Sequence, residues 1–482
     1  MKQRYWSGLV IILLLLDTLL TYRQNYQLPL DGDLVPTIFP APWYSQVMHD
    51  PFGWAVLTRQ EVYAGTNRFF AHAGMTLYWK QVPLLLQAFL SAIDSLYVAS
   101  ALFNVATQLA LIGLLAAYVR LGAQGERTGW GFWLAVLLLF PLFQTSGFYE
   151  QMGITNQAIT YTFFYAFPLA LLLLVLWPFY RAACRNEPLR LPLWQCVLLV
   201  LLMVVTVFNG PVVVASVAIV LLVVGVYWLR QQIRQWRQGI RQLPLAQGWL
   251  SGQALGLLAI LGLLSVYSLY LGRYNAENSD THTLKQLYEL LPTGIYNSFM
   301  LQTGLQVLIG VVLLNGQLLR HVVPASPERS RVLLALRLVG LFSVVYLLLL
   351  PFGGYRPYRP FLVRGDSILP IIVALLFAYG VSAYYLLRHL RLPVVRWSYA
   401  AATGLLLLYF AKADSNPVMP RTNECERWAL DQMAQSPEPV VRVSNECNVL
   451  AWGPMYDFHM SELQGKMLHY WRVTPAPKQY QQ

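Results

Sequence analysis

The sequence predicts an all-α polytopic membrane protein, and three observations carry that prediction. Of 482 residues, 57% are hydrophobic and only 12% are charged, with a mean hydropathy of +0.47, too few charges to clothe a soluble globule of this size. Apolar runs of bilayer-crossing or nearly bilayer-crossing length recur along the chain, without the alternating pattern of barrel strands. Aromatic residues make up 14%, with 29 Tyr and 15 Trp, side chains that settle where lipid meets water. Since backbone polar groups cannot face hydrocarbon unpaired, such runs must be helices.

Taken in order, the runs fall at 6–22, 88–119, 129–146, 161–180, 192–208, 211–229, 250–272, 298–319, 332–352, 367–387 and 397–411, about eleven spans by length. The first, "GLVIILLLLDTLL", is followed by no small-residue cleavage site and reads as an uncleaved span. Asp17 within it lies either near the outer headgroups or in a buried polar contact. The stretch "LLMVVTVFNGPVVVASV" is either one kinked helix or two crossings; we read two, because Gly-Pro is a turn signal and the apolar length suits two.

Basic residues set the orientation. With the N-terminus inside, the inside loops collect Lys2, Arg4, Arg120, Arg127, the group Arg181, Arg185 and Arg190, the group Arg230 to Arg241, and Arg320, Arg329, Arg331, Arg388, Arg391 and Arg396. Their only acids are Glu126, Glu187 and Glu328, so the positive-inside rule is obeyed loop after loop. An odd number of spans leaves the tail outside. The expected organisation is a bundle over 1–411, including a long external loop at 23–87, followed by an external tail domain at 412–482. The net charge of +12 then reflects topology, and no basic motif with interleaved aromatics points to nucleic acid.

The four cysteines divide between compartments. Cys184 and Cys196 fall at the inside face as free thiols, whereas Cys425 and Cys447 lie in the external tail, where an oxidising compartment permits a disulfide. No zinc spacing and no N-x-S/T sequon occurs, which favours a bacterial envelope, with the inner membrane as the location and the periplasm as the outer side. The tail reads as a small capped unit with one helix and one or two strands.

Three external features bear on chemistry. The loop at 23–87 mixes aromatics with polar groups, as short helices on a membrane surface would, and it opens with Asp31-Gly32-Asp33. Two carboxylates so close can share a proton, bind a divalent cation such as Mg or Mn, or divide the work of general base and substrate orientation. The alternative is a solvated turn, or Asp33 capping a surface helix at Leu34 to Pro36. The second feature, "PFGGYRPYRPFLVRGDS", places Arg356, Arg359 and Arg364 in an external loop, against the trend that keeps arginine inside. The planar guanidinium fork matches phosphate oxygens, and Tyr355 and Tyr358 offer flat faces on which a sugar ring could stack; the alternative is snorkelling arginines paired with Asp366. The third is "FQTSGFYEQMGITNQAIT", whose only charge, Glu150, is either a third acid of an external cavity or a solvated loop residue.

Together these features resemble the GT-C class of membrane glycosyltransferases. Members have a multi-span bundle with the N-terminus inside, a long first external loop with surface helices, an acidic motif near its start, and a later external loop that grips the donor's phosphate. The resemblance covers the architecture of 1–411; Asp31-Gly32-Asp33 is similar to the acidic motif, although many members have adjacent acids, and Arg356, Arg359 and Arg364 are similar to the phosphate-gripping loop. It implies inverting transfer of a sugar from a polyprenyl-phosphate donor to a glycan, lipid or protein acceptor. Asp31 or Asp33 would act on the acceptor hydroxyl, and the arginines would neutralise the leaving phosphate. No nucleotide-binding glycine motif appears, which argues against a sugar-nucleotide donor. A transporter or flippase of lipid-linked glycans would need internal repeats or charges deep in the spans; Arg337 is the main such charge expected to be buried. A non-catalytic envelope assembly protein on the same scaffold is the third alternative.

Overall fold

The computed structural model describes residues 2–124, 129–145, 152–155, 157–238, 245–278, 282–301, 303–356, 359, 361–415, 422–444 and 447–482. In chain order the helices are α1 (Lys2–Tyr26), α2 (Leu34–Ile38), α3 (Pro42–His49), α4 (Trp54–Arg59), α5 (Phe69–Leu86), α6 (Ala92–Gly122) and α7 (Gly129–Leu139). They continue with α8 (Ile159–Arg185), α9 (Leu193–Val207), α10 (Pro211–Arg237), α11 (Gly252–Gly272), α12 (Leu284–Phe299), α13 (Thr303–His321), α14 (Pro327–Leu349), α15 (Leu369–His389) and α16 (Pro393–Ser415). The tail holds α17 (Glu424–Gln435), β1 (Val440–Arg442), α18 (Glu462–Tyr470) and β2 (Gln479–Gln481).

This is an all-α polytopic membrane protein. Among the described residues nine helices are long and apolar enough to cross a membrane, and two shorter apolar ones, Trp130–Leu142 and Leu193–Val207, cover the expected runs at 129–146 and 192–208. At Asn209-Gly210-Pro211 the helix does break: α9 ends at Val207 and α10 starts at Pro211. Gly210 takes φ 127, a left-handed value that a side chain would resist, with the Arg68 side chain packed 3.7 Å from where a Cβ would stand. The run expected at 298–319 is divided, since α12 ends at Phe299 and α13 begins at Thr303. Residue α12 owes its start to a capping box, in which Thr283 and Gln286 each bond the other's backbone N–H.

The centre of the bundle is α15, almost wholly enclosed and packed against α6, α7, α13 and α14. Arg337, expected to be a buried charge, instead lies exposed on the outer side of α14. Its flexible stem permits that position by snorkelling. In the loop at 23–87 three short helices appear, but α5 is 18 residues long and forms a second layer against α6.

The tail does not close a core by itself. Leu430, Met433, Met467 and Trp471 share one buried cluster with Leu30, Leu34, Trp79 and Tyr97 of the first loop and α6. Trp471 Nε1 donates to the Trp79 carbonyl at 2.9 Å. The tail has two helices where one was expected, flanking a parallel pair in which Val441 aligns with Tyr480. Cys425 and Cys447 are joined, with Cα atoms 5.3 Å apart, while Cys184 and Cys196 are free.

Candidate functional site

The Asp31-Gly32-Asp33 turn has separate tasks for its three residues. Asp31 is buried: its carboxylate accepts from the Thr160 N–H at 3.0 Å, the Thr160 hydroxyl at 2.8 Å and the Asp33 N–H at 3.0 Å. Burial pushes its pKa up to about 6 despite those bonds, with the Asp33 charge adding to the rise. Asp31 therefore ties the first loop to the start of α8. Gly32 is there because a Cβ would stand 2.6 Å from the Trp452 backbone nitrogen, so only glycine lets the tail come so close. Asp33 is half-exposed and its side chain makes no cap bond to α2. It accepts from Trp452 Nε1 at 3.0 Å instead.

The arginines gather on the other side of Tyr161. Arg359 donates to the Tyr161 hydroxyl at 3.2 Å, lies 5.4 Å from its ring centre and pairs with Asp366 at 3.3 Å. Arg364 grips both Asp366 oxygens, at 3.0 and 2.9 Å. The Tyr355 hydroxyl donates to the Arg359 carbonyl at 2.9 Å, which fixes that backbone. Arg356 reaches across to Glu277, which also receives Arg68 at 3.4 Å and the Tyr44 hydroxyl at 2.5 Å. Burial alone would push the Glu277 carboxyl up, but Arg68 and Arg356 hold it below the usual range. Beside this group His72 is buried between Tyr44 and Phe164, each ring 5.2 Å away. Burial, aided by the Arg68 charge, lowers it to about 4, so it is neutral near pH 7.

Tyr161 is the shared wall. Its ring lies 6.0 Å from that of Trp452, so a contact chain runs from Asp33 through Trp452 and Tyr161 to Arg359. The helix is irregular here: immediately after Tyr161, residues Thr162–Ala166 form a π turn, a distortion that re-aims side chains and is frequent at functional positions. A cavity of about 500 Å³ is lined by Tyr161, Trp452, Asn297, Arg364 and Asp366. A smaller one, about 110 Å³, is lined by Arg68, Arg356, Arg359, Arg364 and Tyr355, with Tyr346, Ala215 and Leu349 below. One turn further along the same helices an apolar groove of about 350 Å³ follows, with Val220, Val339 and Phe342 among its walls. On the tail side a third cavity, about 560 Å³, touches Asp31, Gln157, Asn448 and Trp452.

Four arginines thus line one small cavity, and Glu277 and Asp366 are among the carboxylates they pair with. Four guanidinium groups around one cavity suit a phosphate. Both Asp31 oxygens accept hydrogen bonds in its buried position. Among the described residues no group of three or more His, Cys, Asp or Glu is arranged to hold a metal.

Of the residues singled out in the sequence, Asp31 lines the tail-side cavity, Tyr355, Arg356, Arg359 and Arg364 line the small one, and Asp33 borders them through Trp452. Glu150 and Tyr358 lie outside the described residues. Sequence reasoning missed Arg68, Tyr44, Thr160, Tyr161, Glu277 and Trp452. Glu277 and Arg68 carried a signal, as isolated charges in segments between apolar runs; Tyr161 and Trp452 carried none, being two aromatics among many. No protein-family model and no curated protein matches this chain.

Proposed function

We propose that the protein is a membrane glycosyltransferase that moves a sugar from a polyprenyl-phosphate donor to an acceptor on the outer face of the membrane. The observation that carries the reading is the arginine-lined cavity with an apolar groove one turn away along the same helices, and Asp33 reached from Tyr161 through Trp452. A polar phosphate on a long hydrocarbon tail is the ligand that needs both. The bundle would have about eleven spans, counting the two short apolar helices, with the N-terminus inside and the loop at 23–87 outside.

In this reading the donor's phosphate lies among Arg68, Arg356, Arg359 and Arg364, and its tail runs along the groove past Phe342. The acceptor hydroxyl enters from the Trp452 side. Asp33 takes its proton as the acceptor oxygen attacks the anomeric carbon, the bond from that carbon to the phosphate oxygen breaks, and configuration inverts. The electron pair leaves on the phosphate, where the arginines stabilise it. Asp31 is a positioning residue: it holds Asp33 and Thr160 in register and does not touch substrate. No step is routed through a metal.

The test is transfer or release of labelled hexose from polyprenyl-phosphate hexose by the purified protein in proteoliposomes, with a cell-envelope extract supplying acceptors. Turnover that depends on Asp33 is expected. Movement of intact donor across the bilayer without cleavage would support a flippase, and no turnover of either kind would support an assembly role.

A further inference from the structure

The far end of α8 carries a second basic feature, unrelated to the site above. Thr160 and Arg181 are 21 positions apart on one helix, about 30 Å at 1.5 Å per residue, which is the thickness of the hydrocarbon layer. There the end of α8, the connection at 186–192 and the start of α9 enclose a cavity of about 480 Å³, with Arg181, Arg190, Gln195 and Trp177 in its wall. Leu198 and Leu202 make its apolar side.

The connection is built to hold Arg190 in place. Asn186 ends α8 with a left-handed backbone, φ 54, and the Glu187 N–H turns back to the Ala182 carbonyl at 3.1 Å. The Ser251 hydroxyl donates to the Leu189 carbonyl at 2.7 Å. Gln253 bonds both polar groups of Leu191, accepting from its N–H at 2.7 Å and donating to its carbonyl at 2.9 Å. Arg190 therefore sits between two pinned residues, and Pro188 and Pro192 stiffen the path further.

The charges are unbalanced. Arg181 and Arg190 face a single carboxylate in the cavity, Glu187, and among the described residues neither arginine lies within ion-pair distance of an acid. Leu174 and Leu198 of the cavity wall are exposed apolar side chains, as are the neighbouring Trp194 and Leu201. Trp194, at the start of α9, is a side chain that belongs at headgroup depth. A soluble anion has no use for the leucine wall, whereas an amphiphile needs both halves.

We propose that this groove binds an anionic phospholipid, with its phosphate at Arg181 and Arg190 and one acyl chain along Leu198 and Leu202. Cationic pockets between helices at headgroup level are suited to such lipids, and this one is preorganised by the Gln253 and Ser251 bonds. The proposal needs no assumption about catalysis.

The test is native mass spectrometry of the full chain in detergent, titrated with an equimolar mixture of dioleoylphosphatidylglycerol and dioleoylphosphatidylcholine. The wild type is expected to retain one phosphatidylglycerol in preference. The double variant Arg181→Ala, Arg190→Ala should bind it roughly 10- to 30-fold more weakly. Leu198→Trp, which fills the apolar side and leaves charge unchanged, should also weaken it. Arg237→Ala, exposed at the same end of the bundle but outside the groove, should not. The assignment falls if the wild type shows no preference, if either groove variant keeps the lipid, if Arg237→Ala loses it equally, or if millimolar inorganic phosphate displaces it.

Discussion

Replacing Asp33 by Asn isolates the chemistry asked of one carboxylate. The amide keeps an oxygen to accept from Trp452 Nε1, now at 3.0 Å, and Asp33 is half-exposed with no side-chain cap bond to lose. Stability should therefore change by no more than about 0.5 kcal/mol. What disappears is the group that takes the acceptor's proton. General-base catalysis contributes 10²- to 10⁴-fold, so turnover should fall by about 2.7–5.4 kcal/mol of barrier at 1.36 kcal/mol per decade. Donor half-saturation should hold, because the phosphate lies with the arginines on the far side of Tyr161. The assay is the initial rate of labelled hexose transfer at several donor concentrations, with thermal midpoint measured on the same preparation. Arg234→Ala, at the opposite end of the bundle, serves as the control with unchanged transfer. Wild-type transfer by Asp33→Asn would refute the assignment and leave the acids as a structural turn.

Arg359→Ala should raise donor half-saturation about 10- to 150-fold, the equivalent of one charge-assisted bond of roughly 1.5–3 kcal/mol, and lower turnover as well, because the leaving phosphate loses a stabilising charge; a loss confined to turnover would move the phosphate elsewhere. The pH dependence of stability should carry a contribution from Asp31. Its folded pKa of about 6 lies above the ordinary 3.8, so the folded protein keeps a proton that the unfolded chain has released, and this stabilisation is present below pH 3.8 and lost as pH rises through 6. The difference of about 2.2 units corresponds to roughly 3 kcal/mol. Wild type should lose stability of that order relative to Asp31→Asn between pH 4 and 7, measured by thermal unfolding in detergent, and a wild type that gains on the variant as pH rises would reverse the argument.

The arginine loop and the paired acids were visible in the sequence because each breaks a local rule: arginines clustered in a loop that the charge pattern assigns to the outside, against the positive-inside trend, and two acids at the mouth of an apolar span. What the acids do was not visible. Asp31 and Asp33 are two positions apart and chemically identical, and they differ only because Thr160, 129 positions away from Asp31, buries one while Trp452, 419 away from Asp33, borders the other. Glu277 gains its place only because Arg68 and Arg356 close on it from separate segments.

By itself, then, the sequence determined the membrane class and the helices, since bilayer thickness and backbone pairing act on contiguous stretches of about twenty residues. The break at Asn209-Gly210-Pro211 belongs to that local kind of information. The tertiary structure alone decided that the tail shares its core with the first loop, that Tyr161 stands between Asp33 and Arg359, and that Arg337 faces outward. Those outcomes depend on contacts across hundreds of residues, where many Tyr, Trp and Arg of equal local merit compete for each position and only the packing of the bundle selects among them.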